Sequence, residues 1–581
     1  MIAFQSESVQ PSTLQQSIIE AAIRHEEPAE LKPVNGLVFL TCVLLAVALQ
    51  LRAYSGGPAA FMGARNARPR TSGARVSQFD LTLNYGNVPL GQTLTKSQIL
   101  TTNCGADFCF PIDYDTALIS GTDSAEFTLV NDTCSGSSRP TGSSCSMSVR
   151  FTPSLPGVRS AYLYLDSTAG NAPLILSLTG SGTVQLPIDR ISQGTLPWGT
   201  QVYDHSTKLI KNLGCGLTSL AMALNYVGVA TDPGALNTTM VEGNGYDGEA
   251  VSWDPAVRAA TDGERAFYAR VRYWNDPAAA QFLNAALAAG FPVVVGVKID
   301  AKGKPHHFVL VTGFENGQYM IQDPGDVGKT TLADYGGHYV TRGIVVPRAP
   351  TLPGPLVATG APSDVSGLTV AVPERATVLL TDSQGRRTGF DSNSNQECEE
   401  IPSSAHLAEG LDDDEDGTPA AHFSDSVNVF QPASGTYRVK VAGDTPGIYS
   451  VVLHPFRSDG TSQSPFTFQG ISGPGGTLSL QVQLSVLPGG STTIIRQAGY
   501  TSTLQDIAAC RAQGLITKQS IAKGLSKDIT KASTARKDTA RQAALRKYLT
   551  ALAHGSRYIS PAALAILQQD GLALQAGNIA P

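Results

Sequence analysis

One cysteine in the middle of the chain has the neighbours that a nucleophile needs. Cys215 lies in the segment Leu-Gly-Cys-Gly-Leu-Thr-Ser, between two glycines that allow a tight turn and the close approach of a substrate. Apolar residues recur with helical spacing over residues 217–227, so we expect Cys215 at the N-terminus of a helix. The helix dipole there favours the thiolate, which is the form that attacks carbonyl carbons. The alternative, an inert buried cysteine, would be favoured if the chain offered no base.

Two adjacent histidines, His306 and His307, are candidates for this base, and an aspartate is placed to orient one of them. Residues 306–313 predict one strand and residues 318–322 predict the next, with a Glu-Asn-Gly turn between them. Antiparallel pairing brings the start of the first strand to the end of the second, so a histidine meets Asp323. This arrangement is typical of an imidazole oriented by a carboxylate. Because side chains alternate along a strand, only one of His306 and His307 can face the cysteine.

Further elements are expected to position these groups. Asp276 and Pro277 predict the start of a helix that ends at Gly290. An apolar run over residues 292–299 follows, and a polar turn over residues 300–304 leads into the histidine strand. Residues 186–348 therefore form a mixed α+β block.

The order Cys, His, Asp is that of papain-like peptidases, and this block resembles the double-glycine-leader (bacteriocin-processing) peptidase family over nearly its whole length. The elements that carry the resemblance are Gln193-x4-Trp198, Gly214-Cys215-Gly216-x-Thr218-Ser219, Met222, Gly290-x-Pro292-Val293-Val294, His307-Phe308-Val309-x-Val311-x-Gly313 and Asp323-Pro324.

The resemblance implies a papain-like fold and assigns roles to four residues. It selects His307 as the base, because the family places the base directly before the apolar strand run. Cys215 is then the nucleophile, Asp323 orients the imidazole, and Gln193 lines the oxyanion hole. Leader-cleaving relatives are joined to a transporter, and no transporter domain follows here. A secreted endopeptidase, a peptidoglycan or isopeptide hydrolase and a transamidase therefore all remain open.

The whole chain reads as a multidomain protein. We predict an N-terminal β-sandwich, a central papain-like α+β domain, a second β-sandwich and a small C-terminal helical module. The expected boundaries are 1–53 for a signal or anchor region, 54–77 for a linker, 78–185 for the first sandwich, 186–348 for the peptidase-like domain, 349–362 for a Pro/Gly-rich linker, 363–490 for the second sandwich and 500–577 for the basic helical module.

An apolar segment near the N-terminus predicts the compartment. Residues 36–51 contain only Thr41 and Gln50 as polar side chains, and sixteen residues suit a secretory signal better than a membrane span of about 20. Cleavage is expected after Ala53 or Ala60; an uncleaved membrane anchor is the main alternative, and a buried helix is the third. Either of the first two interpretations predicts that the rest of the chain is secreted or attached to the cell surface, outside the cytoplasm, and the resemblance to bacteriocin-processing peptidases implies a bacterial protein.

The first sandwich resembles the hydin-like and abnormal-spindle-like immunoglobulin family, also found as choice-of-anchor domains. The matching residues are Leu83-x2-Gly86-x-Val88-x2-Gly91, Asn103, Phe127, Phe151-x-Pro153-x2-Pro156-Gly157 and Leu178-Thr179-Gly180-Ser181-Gly182. Cys134 and Cys145 flank a Gly/Ser/Pro loop that a disulfide would staple, and Cys104 and Cys109 form a second expected pair. A metal site is the weaker alternative, since these spacings are not those of zinc ligands.

The second sandwich loosely resembles immunoglobulin-like or pre-peptidase C-terminal-like modules of exported proteins. It contains a run of acids, in which Asp412, Asp414 and Asp416 fit the first half of a calcium loop. Phe423 stands where such a loop needs a glutamate, so a solvated acidic loop is the competing interpretation. No other cofactor is expected.

The composition limits the partners. The formal net charge of −6 provides no global attraction for nucleic acid, although the C-terminal module is locally basic and offers a face for an anionic surface. The sequence thus predicts a cysteine hydrolase that acts on a peptide or protein through an amide bond. The alternative is a cell-surface binding or adhesion protein, with a surface or matrix ligand, whose peptidase-like domain is inactive.

Overall fold

A computed structural model describes residues 74–78, 82–104, 109–169, 171, 173–348, 364–420, 423–473 and 476–580. The apolar segment over residues 36–51 lies outside these residues. Among the described helices, none combines the length and the apolar character that crossing a membrane requires. The chain divides into two compact units, the smaller ending at Val184 and including residues 315–317, and the larger comprising Gln185–Phe314 and the chain from Gln318 onward.

The residues of the smaller unit that the structure describes form strands, together with a short turn of helix at Ser124–Glu126. Its strands are β1 Ala74–Gln78, β2 Thr82–Pro89, β3 Leu94–Cys104, β4 Ile112–Asp113, β5 Leu118–Ser120, β6 Phe127–Asp132, β7 Ser138–Arg139, β8 Ser144–Phe151, β9 Gly157–Leu165 and β10 Leu174–Gln185. One sheet has the order β1-β3-β8-β6, and a second has the order β2-β10-β9-β5. Both sheets contribute to a single core, which includes Val149, Leu163 and Leu176.

Two features of this unit bear on the sequence predictions. Disulfides join Cys104 to Cys109 and Cys134 to Cys145, so both expected pairs are confirmed. Strand β1 begins at Ala74, inside the segment predicted as a linker. It does so because it pairs with β3 and places the side chain of Val76 in the core.

Residues 198–347 of the larger unit mix helices with a main antiparallel sheet and a separate two-stranded sheet. Their elements are α1 Ile210–Leu213, α2 Cys215–Tyr226, α3 Pro233–Glu242, β11 Tyr246–Asp247, β12 Ala250–Val251, α4 Trp253–Ala260, β13 Arg265–Ala269, α5 Pro277–Ala288, β14 Val293–Val297, β15 His307–Glu315, β16 Gln318–Gln322 and β17 Val340–Pro347. Single helical turns lie at Trp198–Thr200 and Leu332–Tyr335. The order of the main sheet is β13-β17-β14-β15, with β16 paired to β15, and β11-β12 is the two-stranded sheet.

The second part of the larger unit continues with a pair of sheets and ends in helices. Its strands are β18 Gly367–Val372, β19 Ala376–Thr381, β20 Arg387–Asp391, β21 Gln396–Glu399, β22 Ser404–Glu409, β23 Ser424–Phe430, β24 Gly435–Gly443, β25 Gly447–Phe456, β26 Phe466–Ser472, β27 Thr477–Leu484 and β28 Thr493–Gln497. The helices are α6 Tyr500–Ala512, α7 Gln519–Thr534, α8 Asp538–Gly555 and α9 Pro561–Gln575, with a single turn at Ser556–Tyr558.

These strands form sheets of order β22-β23-β18-β25-β26 and β21-β20-β19-β24-β27-β28, which share one core. Strand β28 lies beyond residue 490, so the sheet extends further along the chain than predicted. The C-terminal helices pack around a core of their own. The described chain is therefore mostly β, with a helical C-terminal region, as predicted.

Candidate active site

Helix α2 places Cys215 at its first position. Gly214 is the residue before the helix, and a Cβ added there would lie 2.4 Å from the carbonyl oxygen of Ile210. Glycine is therefore required for the tight entry into the helix. Cys215 is fully buried, and every residue from Cys215 to Leu224 is buried as well. Protein therefore surrounds residues 215–224 on all sides, whereas the sequence pattern predicted a helix that packs along one apolar stripe.

Strand β15 brings a histidine to the cysteine. The side chain of Ser219 donates a hydrogen bond to the carbonyl oxygen of Phe308 over 3.3 Å, which ties α2 to the start of β15. A Cβ on Gly216 would lie only 3.2 Å from Val251 and 3.6 Å from Phe308, so the helix packs closely there. His307 is 1% exposed, and one of its ring nitrogens lies within 4.8 Å of the sulfur of Cys215.

Asp323 orients the imidazole from the far side. Nε2 of His307 lies 3.0 Å from Oδ1 of Asp323, in the hairpin arrangement that the sequence predicts. Asp323 is fully buried, and it also accepts hydrogen bonds from the backbone N–H groups of Gly325 and Asp326 and from the hydroxyl of Tyr335. Burial alone would raise the pKa of Asp323, but the hydrogen bond and charge of His307 outweigh it and lower the pKa to about 2.

His306 lies outside this cluster. Its backbone N–H donates to the carbonyl oxygen of Val297, and its Nδ1 lies 2.6 Å from Oδ1 of Asp412. Since the two histidines point to different partners, the structure brings His307 and not His306 to the cysteine.

Gln193 lies beside the same cluster. Its side-chain amide donates to the carbonyl oxygen of Lys211 over 2.8 Å and to Oδ2 of Asp414 over 3.2 Å. Its backbone N–H donates to the carbonyl oxygen of Pro324, directly after Asp323. The structure therefore brings together all four residues for which the sequence predicted a catalytic role.

Asp414 is an additional member of the cluster. Its Oδ2 lies 3.0 Å from Nδ1 of His307, and its Oδ1 lies 2.7 Å from Nζ of Lys298. Burial raises the pKa of this carboxyl, but His307 and Lys298 outweigh that effect and hold the pKa below its usual range. Asp323 binds Nε2, so Asp414 lies against the one ring nitrogen that remains.

The charges around His307 decide its protonation. Burial favours the neutral imidazole, but the neighbouring Cys215, Asp323 and Asp414 favour the cation more strongly and raise the pKa of His307 well above its usual range. A cationic imidazole next to a sulfur atom stabilises the thiolate by Coulomb attraction. His307 and Cys215 are therefore close enough for the imidazole to exchange a proton with the sulfur and to act on its charge.

The three acids of the predicted calcium loop have separate partners. Asp412 contacts His306, Asp414 contacts Lys298 and His307, and Asp416 is exposed with Lys208 at 4.0 Å. Among the described residues, a different group could bind a metal ion: the ligand atoms of Cys215, His307 and Asp414 lie within 4.8 Å of one another. Zinc accepts such sulfur, nitrogen and oxygen ligands. The ammonium of Lys298 supplies positive charge at the same carboxylate.

Residues 186–340 match the model of the Peptidase_C39 like family. The matched segment contains Cys215, His307, Asp323 and Gln193 and excludes both the N-terminal unit and the chain that follows residue 340. This part of the chain is therefore similar to the Peptidase_C39 like family. A comparison with curated proteins gives no match.

Solved structures give partial similarities. The secreted serine protease VesC from Vibrio cholerae is 10% identical, with 62% of this chain and 51% of that chain covered and a TM-score of 0.18. The VesB protease of Vibrio cholerae is 21% identical over 18% of this chain and 32% of its own, with a TM-score of 0.15. The ASH/PapD-like domain 7 of human CEP192 is 11% identical over 21% of this chain and 94% of its own, also with a TM-score of 0.15. The chain thus spans about a third of VesB and half of VesC.

Proposed function

We propose that the protein is a cysteine hydrolase that cleaves amide bonds in a peptide or protein substrate outside the cytoplasm. The observation that carries the proposal is the buried cluster in which His307 lies between Cys215 and Asp323. The family match over residues 186–340 supports the same class of reaction.

The chemistry follows from the positions of these groups. His307 takes the thiol proton, and the sulfur of Cys215 then forms a bond to the carbonyl carbon of the substrate. Gln193 Nε2 and the backbone N–H of Cys215 donate to the resulting oxyanion, and the latter is free because a first-turn N–H has no partner within its helix. His307 gives its proton to the leaving amine as the C–N bond breaks. Water then hydrolyses the thioester, with His307 again taking and returning the proton.

Two features support a location outside the cytoplasm. The apolar residues 36–51 have the length and composition of a secretory signal core. The pairs Cys104–Cys109 and Cys134–Cys145 are disulfides, which persist in oxidising compartments. Secretion or attachment to the cell surface accounts for both.

Hydrolysis of a peptide mixture by the full chain tests the proposed reaction. Since Asp414 lies against His307, the assay uses both the unaltered chain and an Asp414→Ala variant, each compared with its Cys215→Ala counterpart by mass spectrometry of the products. We expect cleavage that Cys215→Ala abolishes in at least one of the two backgrounds. Cleavage that survives Cys215→Ala in both, or no cleavage in either, would overturn the proposal and leave the adhesion protein with an inactive domain.

A further inference from the structure

Residues 412–417, between β22 and β23, form an acidic loop that covers His307 and Gln193; the part of the site beneath this loop is called the cleft. The backbone N–H of Asp412 donates to the carbonyl oxygen of His306 over 3.2 Å, and that of Asp414 donates to the carbonyl oxygen of Asn212 over 2.9 Å. These acceptors lie immediately before His307 and shortly before Cys215. The main chain of the loop is thus hydrogen-bonded to both sides of the site at Asp412 and Asp414, and it then turns back through a bond from the N–H of Gly417 to the carbonyl oxygen of Asp413.

The carboxylate of Asp414 lies where the reaction would develop negative charge. Its Oδ2 accepts from Gln193 Nε2 and lies 3.0 Å from Nδ1 of His307. These are the donor proposed for the oxyanion and the nitrogen proposed to receive the thiol proton. A carboxylate in this position blocks both groups, and its own carbon is a poor target for a thiolate.

Basic residues around the cleft match the acids of the loop one by one. Lys208 lies 2.5 Å from Asp413, Lys211 lies 2.6 Å from Glu415, and Lys298 lies 2.7 Å from Asp414. The two outer pairs are partly exposed, and such pairs contribute little stability by themselves. Their arrangement nevertheless gives the cleft a row of positive charge that selects acidic side chains over neutral or basic ones.

The root of the acidic loop is fixed to the part of the chain that contains Cys215 and His307. Glu409, the last residue of β22, forms a buried ion pair with Arg342 and accepts from Nε1 of Trp253 over 3.1 Å. The ring of Trp253 packs edge-on against that of Phe308, next to His307. The strand that leads into the loop is therefore anchored beside the catalytic strand, which holds the loop at the cleft.

From these contacts we infer that the acidic loop is a substrate-like inhibitor of its own catalytic cleft, and that the cleft accepts acidic peptide segments as substrates. This inference rests on the proposed function, since it assigns an occupant to the same site. The loop keeps the enzyme in a blocked state. An acidic peptide that displaces the loop makes the same contacts to Lys208, Lys211 and Lys298.

A set of full-length variants tests the inference. The loop variant carries Asp413→Asn, Asp414→Ala and Glu415→Gln. Asp416→Asn is the matched control, because it removes a charge from the same loop at a side chain that is exposed. Each protein is assayed with and without Cys215→Ala, on an acidic fluorogenic peptide and on its Asn/Gln counterpart, in the presence and absence of EDTA.

We expect the loop variant to cleave the acidic peptide at least about tenfold faster than the unaltered chain, and to prefer it over the neutral peptide by about tenfold or more. Asp416→Asn should stay within about twofold of the unaltered chain. Lysine-to-glutamine exchange at Lys208 and Lys211 in the loop variant should remove the preference and leave cleavage of the neutral peptide in place.

Other outcomes separate the inference from the proposed function. Cleavage that depends on Cys215 but is equal or slower in the loop variant overturns the inference, because Asp414 would then assist catalysis. Activation of the unaltered chain by EDTA to the level of the loop variant also overturns it, in favour of a metal on Cys215, His307 and Asp414. A loop variant with no preference for the acidic peptide overturns the substrate class. Absence of any Cys215-dependent cleavage overturns the proposed function itself.

Discussion

His307 is the residue on which the proposed chemistry depends most, because its ring hydrogen-bonds to Asp323 and has a nitrogen within 4.8 Å of the sulfur of Cys215. In the loop variant, His307→Ala should lower the turnover of a peptide by about 10³-fold or more, as loss of a coupled catalytic group does. His306→Ala should lower it by less than about tenfold, since His306 contacts the acidic loop and not the cysteine. Steady-state rates of peptide cleavage compare the two variants, and a larger loss in His306→Ala than in His307→Ala would refute the assignment of His307 as the base.

The buried charges of the site also predict how stability depends on pH. The pKa of His307 is raised, so its contribution to the free energy of unfolding is complete below its ordinary value of 6.5 and is lost as the pH rises through the raised value. The pKa of Asp323 is lowered to about 2, so its contribution is complete above its ordinary value of 3.8 and is lost as the pH falls towards 2. The cluster should therefore stabilise the fold most between about pH 4 and pH 6.5.

Urea unfolding of the unaltered chain and of His307→Gln checks this dependence. The difference in free energy of unfolding between the two proteins should be largest below pH 6.5 and should shrink at higher pH. A difference that grows with pH would show that His307 is neutral in the folded protein.

The sequence predicted part of this site for a physical reason. His307 and Asp323 are 16 residues apart, and a short hairpin with alternating side chains leaves few ways to arrange them. Asp414 is 107 residues from His307, and local pattern carries no information about such a contact. Charge was the one signal in the sequence for this contact. No Lys or Arg occurs from residue 391 to residue 417, and a run of acids that is covered by protein needs basic partners from elsewhere in the chain.

At the scale of elements, the start of α2 fixes the position of the nucleophile. A Cβ at Gly214 would lie 2.4 Å from the oxygen and 2.7 Å from Cγ2 of Ile210, so Gly214→Ala must shift the start of the helix. We expect the substitution to lower stability by about 1–3 kcal/mol and to slow the alkylation of Cys215.

Gly524→Ala is the control for this substitution. It lies inside α7, where an added Cβ meets no atom within 4 Å, so it should raise stability by about 0.5–1 kcal/mol. Thermal unfolding monitored by circular dichroism compares the two variants. Equal changes in stability for Gly214→Ala and Gly524→Ala would contradict the steric contact between position 214 and Ile210.

Several elements were predictable because their signals are local. Asp276 caps α5 by accepting from the backbone N–H of Ala278, and Pro277 occupies its first position, as the sequence predicts. Strand β16 has the predicted bounds, since a Glu-Asn-Gly turn precedes it and Asp323-Pro324 ends the pairing. Strand β1 was missed because its small polar residues resemble a linker, and only its pairing with β3 makes it a strand.

At the scale of the whole larger unit, the ion pair between Arg342 and Glu409 joins the part that contains Cys215 and His307 to the sandwich that carries the acidic loop. Both side chains are buried, with exposures of 2% and 3%. Glu409→Gln would leave the guanidinium without its counter-charge, and breaking a buried pair in this way costs about 3–5 kcal/mol.

Glu409→Gln should therefore lower the free energy of unfolding and release the acidic loop together with its strand. We expect hydrogen exchange at residues 404–420 to increase, with little change in the C-terminal helices. Glu415→Gln, at a half-exposed pair with Lys211, is the control and should have little effect on stability. If hydrogen exchange at residues 404–420 is the same in Glu409→Gln and in Glu415→Gln, the ion pair between Arg342 and Glu409 does not hold the loop in place.

The central claim, that Cys215 is a nucleophile activated by His307, is tested most directly by alkylation of the loop variant with iodoacetamide at pH 7. Cys510 is the internal reference, because burial and the nearby Asp506 raise its pKa to about 12. Peptide mass spectrometry should show Cys215 reacting at least about 100-fold faster than Cys510, and His307→Ala should remove most of that difference. Equal rates at the two cysteines, or a rate at Cys215 that does not change in His307→Ala, would contradict the claim.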